Sequence, residues 1–369
     1  MTKEELYQQH LNAMYSTNAE TCSEEEAEEI FARLLQCLPN DGKLYKYRSI
    51  EGEAFAYALD GLQNNYLWMA KASTLNDDLD CVIRFDPIKE VERSRQMFLA
   101  EPWRYFNQWL RKNSDRKFYA TPIEKYRFQK AVECVDTTTW QLDEEKAVDV
   151  LVESGVSRVK AKKYIADLLQ WVEKTINKCS DDLKKPLSAL MKFNENNRQN
   201  IYVFSMTEDY DSDAMWGLYA NSNRGFCIEY DFRRAKELPV TIKRKLCCLF
   251  QIMYMKEIKE FSFEKLDRYF FSDFQDKQLY AEINREFLSH LLSKEIIWKN
   301  EKEWRLIGFE RTDNRLYADL VSGVIIDERV IQTENAKTLI RLAKERGWSI
   351  KVRKMNVLGT KHFYEEYSA

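Results

Sequence analysis

The spacing of apolar positions along the chain changes period twice. In residues 1–38 it is helical: Ile30, Leu34 and Leu35 form a stripe behind the acidic run 24–29, and Ser23 followed by Glu26 fits a capping box. Asn40-Asp41-Gly42 is a turn. Residues 44–49 then alternate, Tyr45 and Tyr47 against Lys46 and Arg48, which predicts a short strand. Phe55, Ala58, Leu59 and Leu62 share a helix face, residues 66–70 read as a second strand, and 73–78 as a polar turn. From about 88 to 199 the helical period takes over, with stripes at Phe98, Trp103, Phe106 and Leu110 and at Ile165, Leu168, Leu169, Val172 and Ile176; Ser154-Gly155 breaks two helices into a hairpin. Strand signals return at 201–206, 225–230, 246–255, 298–309, 322–326 and 350–357, separated by helical segments at 262–295 and Glu334–Arg346.

This order predicts an α+β fold with a mixed or antiparallel β core. The expected division is a helical lead over 1–40, a core built from 41–86 and 200–369, and a helical insertion over 87–199. The 369 residues are 44% hydrophobic and 32% charged, a globular composition, and only 10 Gly and 6 Pro favour long helices. A net charge of −3 supplies no global field for nucleic acid, and the basic run 233–245 reads as a solvated loop or strand edge. The eight Cys include no CxxC pair, which predicts a reducing compartment. With three His, a zinc site or a His-based triad is not expected. The polar start and the lack of a long apolar run predict a cytoplasmic protein with no membrane partner.

Four segments place polar residues where a purely structural strand has no use for them. In the first, Lys46, Tyr47, Arg48 and Ser49, the Arg can fork onto a phosphate or carboxylate beside aromatic rings, or pair with an internal acid. The second holds Asn76, Asp77 and Asp80, suited to capping and turn formation or to a hard cation. In the third, Ser205 and Thr207 lie two apart on one strand face and are followed by Trp216 and Tyr219. In the fourth, Glu301, Glu303 and Arg305 share a face of a regular strand, and two carboxylates so close call for a compensating cation.

In order, LYKYRS at 44–49, LNDDLDC at 75–81, FSMTE at 204–208, MWGLYANSNRGFCIEYD at 215–231 and IWKNEKEWRLI at 297–307 resemble the bacterial domain-of-unknown-function 2971 family. The chain departs from that pattern at Asp78, where the family often has Pro. That family name carries no activity. An early strand-end Arg, a later Ser-x-Thr strand and a final Glu-x-Glu also resemble the motif order of ADP-ribosyltransferases. This second resemblance implies that Arg48 supports the phosphates of NAD and that Ser205 and Thr207 order the site. Glu303 is then the catalytic carboxylate and Glu301 its helper, with Tyr47, Trp216 or Tyr219 stacking on nicotinamide and Ser49, Asn76, Asp77 and Arg305 around the substrate. It further implies NAD as substrate rather than a metal, and a protein or nucleic-acid acceptor. A toxin-like or phage-defence role follows by family analogy alone.

Two other classes are carried beside this one. In a non-catalytic binding module, Arg48, Asn76 and Glu303 form a polar network while the aromatic helices take a protein partner or a second copy. In a metal-dependent nuclease, Asp77, Asp80, Glu301 and Glu303 hold hard cations. The transferase reading requires Arg48, Ser205 and Glu303 to line one cleft.

Overall fold

The capping signals read at Ser23 and Glu26 begin a helix as expected. Thr2 and Ser23 both close capping boxes, opening α1 (Lys3–Ser16) and α2 (Glu24–Cys37), and α2 buries Ala27, Ile30, Phe31 and Leu34. The computed structural model describes residues 2–17, 22–75, 77–100, 121–136, 139, 141–172, 195–265, 268, 276–309 and 314–367. The chain divides into two compact units, one of Met1–Ile83, Glu195–Lys259 and Tyr280–Ala369, the other of Arg84–Asn194 and Glu260–Leu279.

The first unit is a mixed sheet flanked by helices, as the α+β reading expects. Its strands are β1 (Lys43–Ser49), β2 (Tyr66–Trp68), β3 (Ala70–Lys71), β4 (Ile201–Thr207), β5 (Gly225–Asp231), β6 (Leu249–Gln251), β7 (Met253–Met255), β8 (Ser293–Glu295), β9 (Glu303–Phe309), β10 (Arg315–Tyr317), β11 (Val321–Asp327), β12 (Ser349–Met355) and β13 (His362–Glu366). The main sheet runs β13-β12-β11-β5-β1-β4-β9-β6, with β3 also on β4, while β2–β10 and β7–β8 are two-stranded ribbons. Its helices are α1, α2, α3 (Gly52–Gln63), α4 (Asp213–Tyr219), α5 (Val240–Leu246), α6 (Lys277–Leu291, entering this unit at Tyr280) and α7 (Glu334–Arg346). Among the described residues only β11 and β12 of the main sheet are parallel, joined through α7; the other pairs are antiparallel. β5 is buried along its whole length, as suits a central strand covered on both faces.

One junction in this sheet is unusual. β1 pairs with β5 over seven positions, from Lys43↔Asp231 to Ser49↔Gly225, yet meets β4 only at Tyr45↔Thr207. β4 in turn pairs with β9 over seven positions. The sheet therefore forks between β1 and β4. Gly225 makes the closed side of β1 possible, because a Cβ there would stand 2.2 Å from the Arg48 carbonyl oxygen.

Several expected elements differ in detail. Residues 296–301 form a 3-10 turn (Ile296–Glu301) closed by Lys302 at φ 44°, so β9 starts only at Glu303. The segment 246–255 splits into the end of α5, β6 and β7, and 293–295, read as helical, is strand β8. The chain ends on β13 rather than β12. The basic run 233–245 is a 3-10 turn (Phe232–Glu237) followed by α5, with Arg233 paired to Asp231 and Lys243 to Glu28, both at 2.7 Å.

The second unit contains helices Pro87–Ala100, Pro122–Val132, Glu144–Glu153 and Arg158–Val172, with a core of its own around Val132, Ala147, Leu151, Ala161 and Ile165. Gly155 at φ +87° turns the chain between the last two of these helices. Trp103, Phe106, Leu110 and Ile176 lie outside the described residues. No helix among the described residues is long and apolar enough to cross a membrane.

Candidate functional site

Strand alternation puts Tyr45, Tyr47, Ser205, Thr207, Glu303 and Arg305 on one sheet face and Lys46 and Arg48 on the other. In a closed sheet the two sets would not meet. The fork lets them: Lys46, Arg48, Ser205, Thr207, Tyr219, Lys294, Glu301 and Glu303 line a single cleft of about 280 Å³, with Tyr45, Tyr47, Trp68 and Asp80 completing its walls. Arg48, Ser205 and Glu303 thus share the cleft that the transferase reading requires.

One wall is a buried ion cluster. The Arg305 side chain is 1% exposed and donates to both Asp80 oxygens (2.8 and 2.9 Å), both Glu303 oxygens (3.0 and 3.0 Å) and the Leu291 carbonyl (3.1 Å). A guanidinium has five N–H groups, and six acceptors surround them, Cys81 Sγ at 3.3 Å being the sixth. Arg305 therefore positions Glu303 and has no donor left for a substrate, contrary to the role expected for it. Lys294 lies 2.6 Å from Glu301, 3.3 Å from Glu303 and 3.9 Å from Asp80, and 5.1 Å from the Trp298 ring centroid. Burial works against the Lys294 and Arg305 charges, but the surrounding carboxylates outweigh it and raise both pKa values, that of Arg305 well above the ordinary range.

Glu301 does not share a strand face with Glu303. It reaches the cleft from the 3-10 turn, where Tyr219 Oη donates to its Oε1 at 2.5 Å and Lys294 Nζ to its Oε2. The left-handed Lys302 between the two carboxylates redirects the chain so that both converge on Lys294. Tyr254 Oη accepts the Glu303 backbone N–H at 2.8 Å, anchoring the first residue of β9.

Two further lining cations, Arg48 and Lys46, form no ion pair with a carboxylate among the described residues. Arg48 forms no ion pair or side-chain hydrogen bond with any described residue, and its burial lowers its pKa, only partly offset by the Tyr230 phenol. Lys46 Nζ donates to the Ser205 carbonyl and sits 4.4 Å from the Phe204 ring centroid. Burial, then the neighbouring Arg48 charge, pushes the Lys46 pKa well below the lysine range, against a smaller opposing pull from Glu303. The pairing of Arg48 with an internal acid, one of the two readings of its sequence context, is not found among the described residues.

The remaining candidates are placed elsewhere or act locally. Trp216 is fully buried, donates to the Tyr210 carbonyl at 2.9 Å, and packs between Tyr47 and Arg353, so it cannot stack on a ligand. Tyr47 borders the cleft, but its hydroxyl is engaged by the Asp209 carbonyl at 2.7 Å. The Thr207 hydroxyl accepts from the Asp209 N–H at 3.0 Å. Ser49 and Asp77 serve their own turns, accepting from the Glu51 and Leu79 N–H groups. Asn76 lies outside the described residues. The acids proposed for a metal are split, Asp77 in its turn and Asp80, Glu301 and Glu303 on Arg305 and Lys294. Among the described residues no group of three His, Cys, Asp or Glu side chains is arranged to hold a metal ion.

Lys294 is the site residue that the motifs do not single out. The available signal was a cation inside an apolar stretch: Lys294 follows His290-Leu291-Leu292-Ser293 and precedes Ile296-Ile297.

Residues 215–306 match the family model described as Protein of unknown function (DUF2971), which bears out over that stretch the resemblance read from the motifs. The match takes in the Tyr219, Lys294, Glu301, Glu303 and Arg305 side of the cleft, whereas β1 and β4 lie outside it. No curated protein and no solved structure matches the chain.

Proposed function

We propose that the cleft binds NAD and cleaves its nicotinamide–ribose bond, passing the ADP-ribosyl group to an acceptor or to water. The observation that carries this reading is the convergence in one cleft of Arg48, which has no acid partner among the described residues, half-buried Lys46 and a fixed Glu303. Arg48 suits a diphosphate, since a guanidinium forks onto phosphate oxygens and stays charged. In the step itself the C1′–N bond breaks, nicotinamide leaves with the electron pair, and positive charge develops at C1′. An anion held nearby by preorganised donors stabilises that charge, and Arg305 and Lys294 fix the Glu303 carboxylate in place. The acceptor, or a water molecule, adds to C1′ and gives up its proton. Glu301, tied to Tyr219, stands at the same wall to receive it.

NAD turnover by the full chain, with Glu303→Gln as control, tests this. Nicotinamide release that Glu303→Gln abolishes supports the reading. No release and no thermal stabilisation at millimolar NAD sinks it. A second reading, binding of an anionic nucleotide without turnover, is favoured by one observation: both Glu303 oxygens already accept from Arg305 or Lys294. It predicts NAD-dependent stabilisation of the native protein with no nicotinamide released.

A further inference from the structure

Arg48 and Trp68 line the cleft and also a second, shallow recess of about 30 Å³, where Tyr57, Asn65, Tyr66 and Tyr230 join them. Two of these aromatics are unusually open, Tyr57 being 71% and Trp68 47% exposed. Large aromatic surfaces left bare beside an unpartnered cation mark a recognition surface rather than a core. The Tyr66 ring beneath is held firmly, with the Arg315 guanidinium 5.1 Å and the Tyr317 ring 5.8 Å from its centroid and its hydroxyl donating to Asp60. Gly61 lets α3 approach closely, since a Cβ there would come within 3.1 Å of the Tyr66 carbonyl oxygen.

Size adds the last element. The cleft of about 280 Å³ lies at the bottom of the roughly 300–1,000 Å³ range of small-molecule pockets. It holds one nucleoside half of a dinucleotide and leaves the other half to extend past Arg48. We infer that the recess is a subsite for the purine ring of a nucleoside diphosphate, stacked on Trp68 beside Tyr57, with the diphosphate held by Arg48. The recess is too shallow to engulf a ring and suits a flat one laid against an open aromatic face. The inference rests on the nucleotide reading of the cleft but not on turnover.

Calorimetric titration of the full chain with ADP and inorganic pyrophosphate tests it. Trp68→Ala is expected to weaken ADP about tenfold, within the range for loss of one base–aromatic stack. Trp68→Phe should recover most of that loss, and pyrophosphate affinity should stay unchanged in both variants. ADP affinity unchanged in Trp68→Ala and Tyr57→Ala overturns the subsite, as does an equal loss for pyrophosphate or an absence of ADP binding at millimolar concentration. Failure of the catalytic reading is separable: Trp68-dependent ADP binding without NAD turnover sinks the catalysis and keeps the subsite. NAD turnover with a KM indifferent to Trp68→Ala does the reverse.

Discussion

Replacing Lys294 by Met keeps the length of the side chain and removes the charge that Glu301 and Glu303 share. Three buried carboxylates, Asp80, Glu301 and Glu303, face two buried cations, Lys294 and Arg305. The cluster therefore carries a formal charge of −1, which Lys294→Met takes to −2. A pair of unit charges about 4 Å apart interacts by about 4 kcal/mol at an effective dielectric constant near 20, and the Lys294 contacts at 2.6 and 3.3 Å are closer. Removing one partner of a buried ion pair costs about 3–5 kcal/mol, and that loss is expected here, read from urea unfolding at pH 7.5. Adding Glu301→Gln returns the cluster to −1. The double variant is therefore expected to be more stable than additivity allows, with a coupling of about 2 kcal/mol. A loss below about 1 kcal/mol, or additivity to within about 0.5 kcal/mol, would refute the view that Lys294 holds the two carboxylates together.

Arg48→Met is expected to raise the stability of the ligand-free protein by about 1 kcal/mol while abolishing pyrophosphate binding, because a desolvated cation without a counter-charge is retained for function at a cost in stability; thermal melts with and without pyrophosphate check both. Gly225→Ala drives a Cβ to 2.2 Å from the Arg48 carbonyl oxygen and 3.0 Å from Ala220 Cα. A loss of about 3 kcal/mol by thermal denaturation is expected, since the neighbours met are backbone and cannot step aside. His10 is fully buried, and burial followed by the nearby Arg33 charge lowers its pKa to about 4. The unfolded chain then takes up this proton first, so the His10 contribution is intact above about pH 6.5 and declines toward pH 4, by about 3 kcal/mol in all. The stability–pH slope between those values should be shallower in His10→Leu than in the native chain, as measured by urea titration.

The fold was legible where local chemistry decides it. The Ser23–Glu26 box set the start of α2, and the helical segment read at Glu334–Arg346 is α7. The site was legible as a set of residues but not as an arrangement. Arg305 looked like a substrate ligand because its partner Asp80 lies 225 positions away in the chain, and no periodicity reports that pairing. Glu301 was assigned to a strand because nothing in Asn300-Glu301-Lys302 announces that Lys302, rather than a Gly, adopts a left-handed conformation. Trp216 and Tyr219 sit three apart on one short helix, yet the first is core and the second reaches Glu301, a division set by what covers each side of α4. The fork itself depends on where two strands stop pairing, which alternation within each strand does not encode.

In the continued ladder that β1 and β4 forgo, the carbonyl of Ser205 would be a natural target for a backbone amide; instead it accepts the ammonium of Lys46. A side chain thus supplies the partner of a main-chain acceptor on the edge of β4 that β1 meets at Thr207 and β3 at Tyr202 and Val203. The lysine that lines the cleft is braced against main chain rather than against another side chain. A cavity framed in this way is built before any ligand arrives, and its width is inherited from the sheet.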